Sequence, residues 1–444
     1  MSLFLPEGAR ARALLILSGL LLAVALVQIG RLSVFMLDAS RTGFSLFPSS
    51  EWETHHSCVS AYYIAGRLAG EGRNVYDESL YSLPSAPNEL RKPRMMGAFR
   101  IDVYEYPPPF LLLPRALRLL APEFLAFRFV WFVLNALIVL VAVVVVGRSM
   151  GGPVGTRALL LAPLVWAAVP MLSALQKGNI QLVVVALSML AMLLLDRRHY
   201  ASGGLVLAFA TASKLYPGLL IVYLLVRRQW RALAWTAGWG AVLTLATLAD
   251  VGWLQIHAFF EHLPGLLSGQ AFPAFRNPAA MAMNFSLPSI GFKLKVLGIG
   301  DLSFGTAKVL GWIYTIVAVW ATVALARRAH GRSEAPLAWL AIIAIATLRS
   351  PFLPAAYAAF PFIWLLTLLA ATYPPTPRAL ALTMLGWIAM NVYVPLDWMR
   401  PRPLAVVGLI PHAATIAVIV WAVRHVLASG REAERPAAAP PEAV

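Results

Sequence analysis

The sequence predicts an all-α polytopic membrane protein: a bundle of about 10–12 transmembrane helices with a long first outer loop and a re-entrant hairpin. Three observations predict it. Of 444 residues, 60% are hydrophobic and 13% charged, against about 45–50% and about 25% in soluble domains. Apolar runs recur along the whole chain, many of them near the roughly 20 residues that a bilayer core of about 30 Å requires. Arginines crowd the short loops between those runs, which is the pattern that keeps such loops on the cytoplasmic side. That clustering also accounts for the net charge of +16 without invoking nucleic acid. The single cysteine, Cys58, excludes an internal disulfide and, by count, a cysteine-based zinc site.

The elements follow in chain order. Run 13–36 is too long for a signal-peptide core and lacks a small-residue cleavage site, so it reads as a retained span that starts in the cytoplasm. Residues 37–106 then lie outside. Residues 107–121 do not cross fully, and run 124–147 returns to Arg148. Runs 158–175 and 180–195 go out and back around the polar turn QKGNIQ, residues 176–181. Run 203–226 is flanked by Arg197 and Arg198 on one side and Arg227 and Arg228 on the other, so both of its ends belong inside. One crossing helix cannot satisfy that. Two half-helices meeting at SKLYP can, because Pro217 lacks an N–H and disfavours helix in the residue before it. Run 232–250 exits to a second outer loop, 251–303, and run 304–326 returns. Runs 336–348 and 355–372 form a hairpin over RSPFLP; runs 379–396 and 404–423 turn at PLDWMRPRP and end inside. Residues 1–429 thus make one membrane domain, and the Pro/Ala-rich segment 430–444 reads as a disordered cytoplasmic tail. The polar turns and the re-entrant apex share the outer face. Non-helical backbone at membrane depth is tolerated where it lines a cavity, so an outward-facing cavity is expected.

The residues able to do chemistry lie on that face. EWETHHSCVSAYY, residues 51–63, gathers Glu51, Glu53, His55, His56 and Tyr62. Glu53, Glu51 or His56 could serve as a general base. A Glu-x-x-His pair could hold a divalent cation, but no sustained helix supports it and no metal ligand is assigned. The bland alternative is a solvated loop whose acids pair with its arginines. In QKGNIQ, Gln176, Lys177, Asn179 and Gln181 offer donors to a sugar or phosphate, while Gly178 permits the turn and Asn179 alternatively caps the next helix. Lys214 at membrane depth costs about 2.5–3.5 kcal/mol, which marks an intramembrane functional cation. Arg349 repeats that logic beside Tyr357, and two cations on one cavity suit a phosphate or pyrophosphate. Tyr106 in DVYEYPPPF, and Asn284 among aromatic and small residues, suit a pyranose ring, although aromatics there also suit an interfacial belt.

A long first outer loop with Tyr-Tyr and NVYD, then YPP, then GN-x-Q opening a span, then K-x-x-P before LLVRRQWRAL, resembles the GT-C superfamily of membrane glycosyltransferases. Within it the resemblance is to glycosyltransferase family 87, which includes polyprenol-phosphate-mannose-dependent mannosyltransferases, and it runs from about residue 50 to 370. The resemblance implies a GT-C-like bundle in the plasma (inner) membrane, with both termini cytoplasmic and the active site on the outer face. It implies transfer of a sugar, a mannose-like hexose or a pentose, from a polyprenyl-phosphate donor to a lipid or glycan acceptor. It further implies inversion at the anomeric carbon, with an acidic residue of the first outer loop as base. The chain departs from the pattern in two places. Cys58 and Val59 stand where the family often has Asp, and Tyr357 follows Ser-Pro where the family often has His. Rival readings are a transporter or flippase of an anionic lipid, and a catalytically inactive envelope subunit.

Overall fold

The computed structural model describes residues 9–84 and 92–433; the tail assigned above as disordered falls largely outside that range. Among the described residues, five helical spans are long and apolar enough to cross a membrane. They are α1 (Ala9–Leu37), α5 (Phe124–Ser149), α11 (Trp230–Val251), α15 (Phe304–Arg328) and the continuous stretch of α20 (Pro401–Val407) and α21 (Leu409–Ala433). A sixth crossing is broken. Helices α6 (Gly152–Trp166) and α7 (Val169–Lys177) meet at 60°. Pro170 at the start of α7 cannot donate to the preceding turn, which lets the chain bend there. Shorter apolar helices complete the polytopic all-α bundle: α8 (Gln181–Asp196), α9 (Tyr200–Ser213), α10 (Leu219–Val226), α16 (Glu334–Thr347), α18 (Phe360–Thr372) and α19 (Pro377–Met390).

Length and burial divide the labour. The short helices α8, α16 and α18 are buried on nearly every side chain. They form the protein-wrapped centre. The long ones present bare apolar faces, with Ile16 and Leu20 on α1 and Ile316 and Trp320 on α15 each more than 60% exposed. A face that apolar is stable only against lipid.

The re-entrant hairpin is present. Helices α9 and α11 run side by side in the same direction. Their starts meet where Gly204 lies against Trp235 and Thr236, too close for any side chain at 204. Their ends both reach the segment 106–115: Lys214 sits 5.7 Å from the Tyr106 ring, and Arg115 donates to Asp250 at 2.9 Å. The chain between them must therefore turn back, and α10 is that return. The reversal is the 3-10 turn Tyr216–Gly218, with Pro217 in its first turn.

The first loop packs over the bundle as a small mixed unit. It holds α2 (Glu51–His55), β1 (His56–Ser57), α3 (Val59–Gly70), β2 (Met95–Met96), β3 (Phe99–Ile101) and α4 (Leu112–Leu120), whose nine residues are too few to cross. Strand β1 pairs in parallel with β3, His56 opposite Arg100 and Ser57 opposite Ile101, and β2 pairs antiparallel with β3. The second loop carries α12 (Trp253–Ser268), α13 (Pro278–Ala282) and α14 (Ile290–Leu297), and the short helix α17 (Ala355–Ala358) follows the turn after α16.

Candidate active site

A cavity of about 1050 Å³ opens between the first loop and the bundle. Its walls come from segments far apart in sequence. The loop contributes Glu51, His56, Cys58, Asp102, Glu105 and Tyr106; the bundle contributes Asn179, Gln181, Lys214 and Arg349. Leu215, Leu267 and Trp312 also line it and are exposed large apolar residues, so one side of the cavity has an exposed apolar rim.

The loop wall is set by strand pairing. The parallel β1–β3 register carries the chain past Ile101, and Asp102 falls beside His56. His56 Nε2 and Asp102 Oδ2 are 2.9 Å apart. Burial works against charge on His56, but the Asp102 carboxylate, through its charge and its hydrogen bond, pushes the imidazole pKa up to about 10. The Asp102 backbone N–H donates to Ser60 Oγ at 3.0 Å, which anchors the turn. Glu105, one step further along, is half-buried; burial and the Asp102 charge raise its pKa well above the usual carboxylate range, and Lys214 partly offsets this.

The bundle wall is organised by QKGNIQ. Gly178 ends α7 in the left-handed region, at φ 70°, and an added Cβ would collide with Val59 and press on Trp131. Only glycine fits there. The two polar residues after it point to opposite partners. Asn179 accepts from the Gln181 N–H at 2.9 Å, as an N-terminal cap would, and donates to Cys58 Sγ at 3.4 Å. Gln181 accepts from Lys214 Nζ at 3.1 Å and donates to Thr347 Oγ1 at 3.4 Å. The chain Lys214–Gln181–Thr347 links the re-entrant apex to the turn that carries Arg349, whose Nε donates to Thr315 Oγ1 at 2.8 Å. The cavity thus has a cationic wall and, across the turn, an acidic one.

Other residues singled out in the sequence hold the structure around the cavity, with Lys177 and its neighbour Tyr393 also on the lining. Glu53 is fully buried and is not among the cavity-lining residues. Lys177 Nζ donates to it at 2.9 Å and the Tyr393 hydroxyl at 2.6 Å, and Lys177 is itself 1% exposed. Gln176 accepts from the Leu46 N–H at 2.7 Å and donates to the Glu53 carbonyl at 2.8 Å, tying the loop to α7. The Tyr62 hydroxyl accepts from the Ile180 N–H and donates to the Tyr106 hydroxyl, both at 3.1 Å. Asn284 accepts from the N–H groups of Ser286 and Leu353 and donates to the Pro351 carbonyl, so its amide is used on backbone. Glu51 is exposed at the rim, and His55 is half-buried away from the lining. The Tyr357 side chain lies outside the described residues.

Sequence reasoning passed over Asp102, Glu105 and Asp397. Asp397 accepts from Ser50 Oγ at 2.6 Å and from the Trp52 N–H at 3.1 Å, which clamps the start of α2. The signal for the first two was the acidic pair inside DVYEYPPPF. Nothing in the sequence showed that a strand would carry Asp102 to His56.

No curated protein matches the chain. The family model for glycosyltransferase family 87 matches residues 104–353. That match begins at the acidic wall beside Glu105, contains QKGNIQ and the re-entrant apex, and reaches past Arg349, so it covers the bundle side of the cavity in one run of more than half the chain. The chain therefore belongs to glycosyltransferase family 87 and is a membrane glycosyltransferase.

Proposed function

We propose that the protein transfers a sugar, a mannose-like hexose or a pentose, from a polyprenyl-phosphate carrier to a lipid or glycan acceptor at the outer face of the plasma membrane. Both termini are then cytoplasmic, in keeping with the arginine-rich short loops opposite the cavity. One observation carries the reading: a single cavity holds Lys214 and Arg349 on one wall, Asp102 with His56 on another, and an apolar opening at Leu215 and Trp312. A lipid-linked sugar needs all three. Its polyprenyl chain stays in the bilayer, its phosphate meets cations, and its anomeric carbon faces a base.

Asp102 takes the place that the sequence suggested for Glu53 or Glu51. Glu53 is sealed in an ion pair with Lys177, whereas Asp102 lines the cavity and reaches the neighbourhood of Cys58, where related enzymes often carry Asp. In the reaction the acceptor O–H proton passes to the Asp102 carboxylate as the acceptor oxygen bonds to the anomeric carbon. The bond from that carbon to the phosphate oxygen breaks, and polyprenyl phosphate leaves with the electron pair. Lys214 and Arg349 stabilise the charge that develops on it. One displacement at one face gives inversion.

The donor class is tested by binding. Purified protein in lipid nanodiscs is titrated with polyprenyl monophosphate. A hydrogen bond to a charged group contributes about 1.5–3 kcal/mol, so Lys214→Gln is expected to weaken binding by about 10–100-fold. Equal affinity in the two proteins would remove Lys214 from the phosphate site.

A further inference from the structure

We propose that His56, Cys58 and Asp102 form a three-ligand site for a zinc-class divalent cation, with its fourth position open to the cavity. The ligand atoms, imidazole nitrogen, thiol sulfur and carboxylate oxygen, all lie within 4.8 Å of one another. His56 Nε2 is 2.9 Å from Asp102 Oδ2 and 3.9 Å from Cys58 Sγ. Around a tetrahedral zinc, with bonds of about 2.0–2.3 Å, such atoms stand roughly 3.3–3.6 Å apart. Reaching that geometry opens the His56–Asp102 edge by a few tenths of an ångström and draws Cys58 Sγ inward, by up to about 1 Å toward Asp102.

The donor set selects the metal. A thiolate, an imidazole and a carboxylate match zinc, whereas magnesium and calcium take oxygen ligands. Thiolate and carboxylate together balance a dication. The positions are held from behind. The Cys58 N–H donates to the Lys177 carbonyl at 2.9 Å, Asn179 Nδ2 donates to Cys58 Sγ at 3.4 Å, and Ser60 Oγ accepts from the Asp102 N–H at 3.0 Å. His56 and Cys58 are nearly buried, and all three residues line the cavity. Three protein ligands and one open position are the pattern of a catalytic zinc and not of a structural one. Counting cysteines conceals such a site, because two of its three donors are of other types.

Its role rests on the transfer reading. With an acceptor hydroxyl as fourth ligand, the cation makes that hydroxyl more acidic. The proton then leaves to the oxygen of Asp102 that does not touch the metal, and the cation is unchanged by the turnover.

The test uses full-length purified protein stripped with a chelator and titrated with zinc against a chromophoric competitor. Uptake of about one zinc per chain is expected. Cobalt in its place should show a thiolate-to-metal charge-transfer absorption. Cys58→Ser, near-isosteric and checked for folding by gel filtration and thermal melting, is expected to abolish that absorption. It should also weaken zinc binding by more than about 100-fold, beyond the 10–100-fold that loss of a supporting contact costs. Asp102→Asn gives a second ligand variant with the same expected direction. No zinc uptake at micromolar concentration, or equal uptake in wild type and Cys58→Ser, overturns the site. Full transfer by metal-free protein overturns its catalytic role and leaves the transfer reading standing. Zinc binding without transfer from any polyprenyl-phosphate sugar supports the site and overturns the transfer reading.

Discussion

Asp102→Asn is expected to lower sugar transfer by about 10²–10⁴-fold, the range general-base catalysis contributes, while binding of polyprenyl phosphate stays within about twofold, since the phosphate wall is untouched. The expectation follows from position. Asp102 is delivered by the β1–β3 register, is tied to His56 at 2.9 Å, and lines the cavity. It supplies a carboxylate near Cys58. Glu51→Gln, at the exposed rim, is expected to change the rate by less than about threefold, as for other exposed substitutions. Initial rates with saturating donor check both. An Asp102→Asn enzyme with wild-type kcat would remove Asp102 from the chemistry.

The second large effect concerns folding. Glu53→Ala is expected to destabilise the protein by about 3–5 kcal/mol, because it leaves a buried Lys177 cation without its carboxylate. The pair is 2.9 Å apart with both side chains at or below 1% exposure, and Tyr393 and Ser173 complete its hydrogen bonds. It joins the start of the first loop to the end of α7, so the loop wall of the cavity should loosen with it. The double variant Glu53→Gln/Lys177→Met removes both charges together and is expected to recover most of the loss, as replacement of whole buried pairs does elsewhere. Denaturant unfolding of wild type, Glu53→Gln, Lys177→Met and the double variant in detergent measures the cycle. A Glu53→Gln protein of native stability that transfers no sugar would instead make Glu53 the base.

Features that depend on local energetics were legible in the sequence. Arginines at both ends of one apolar run demanded a reversal, and Pro217 located it; the turn Tyr216–Gly218 is where the chain doubles back. Lys214 and Arg349 stood out because a cation beside apolar residues needs a reason, and both line the cavity. What the sequence could not separate was a polar residue that faces the cavity from one that seals the seam behind it. Glu53, Gln176 and Asn284 belong to the second kind, and their types are the same as those of the first. Asp102 escaped because its meaning depends on a partner 46 residues away. Two short strands bring them together, and strands of two and three residues leave no periodic signal. The bend between α6 and α7 was missed although Pro170 marks it, because the apolar composition continues through the break.

Movement of a sugar from a lipid phosphate to an acceptor in this cavity can be measured directly. Its most direct test is a transfer assay with purified protein in nanodiscs. Radiolabelled polyprenyl-phosphate hexose and pentose donors are supplied with extracted envelope lipids and glycans as acceptors. The expected result is label in a new glycoside of inverted anomeric configuration, released polyprenyl phosphate in equal amount, and no transfer from nucleotide sugars. Transfer from a nucleotide sugar, retention of configuration, or no transfer from any polyprenyl-phosphate donor would contradict it.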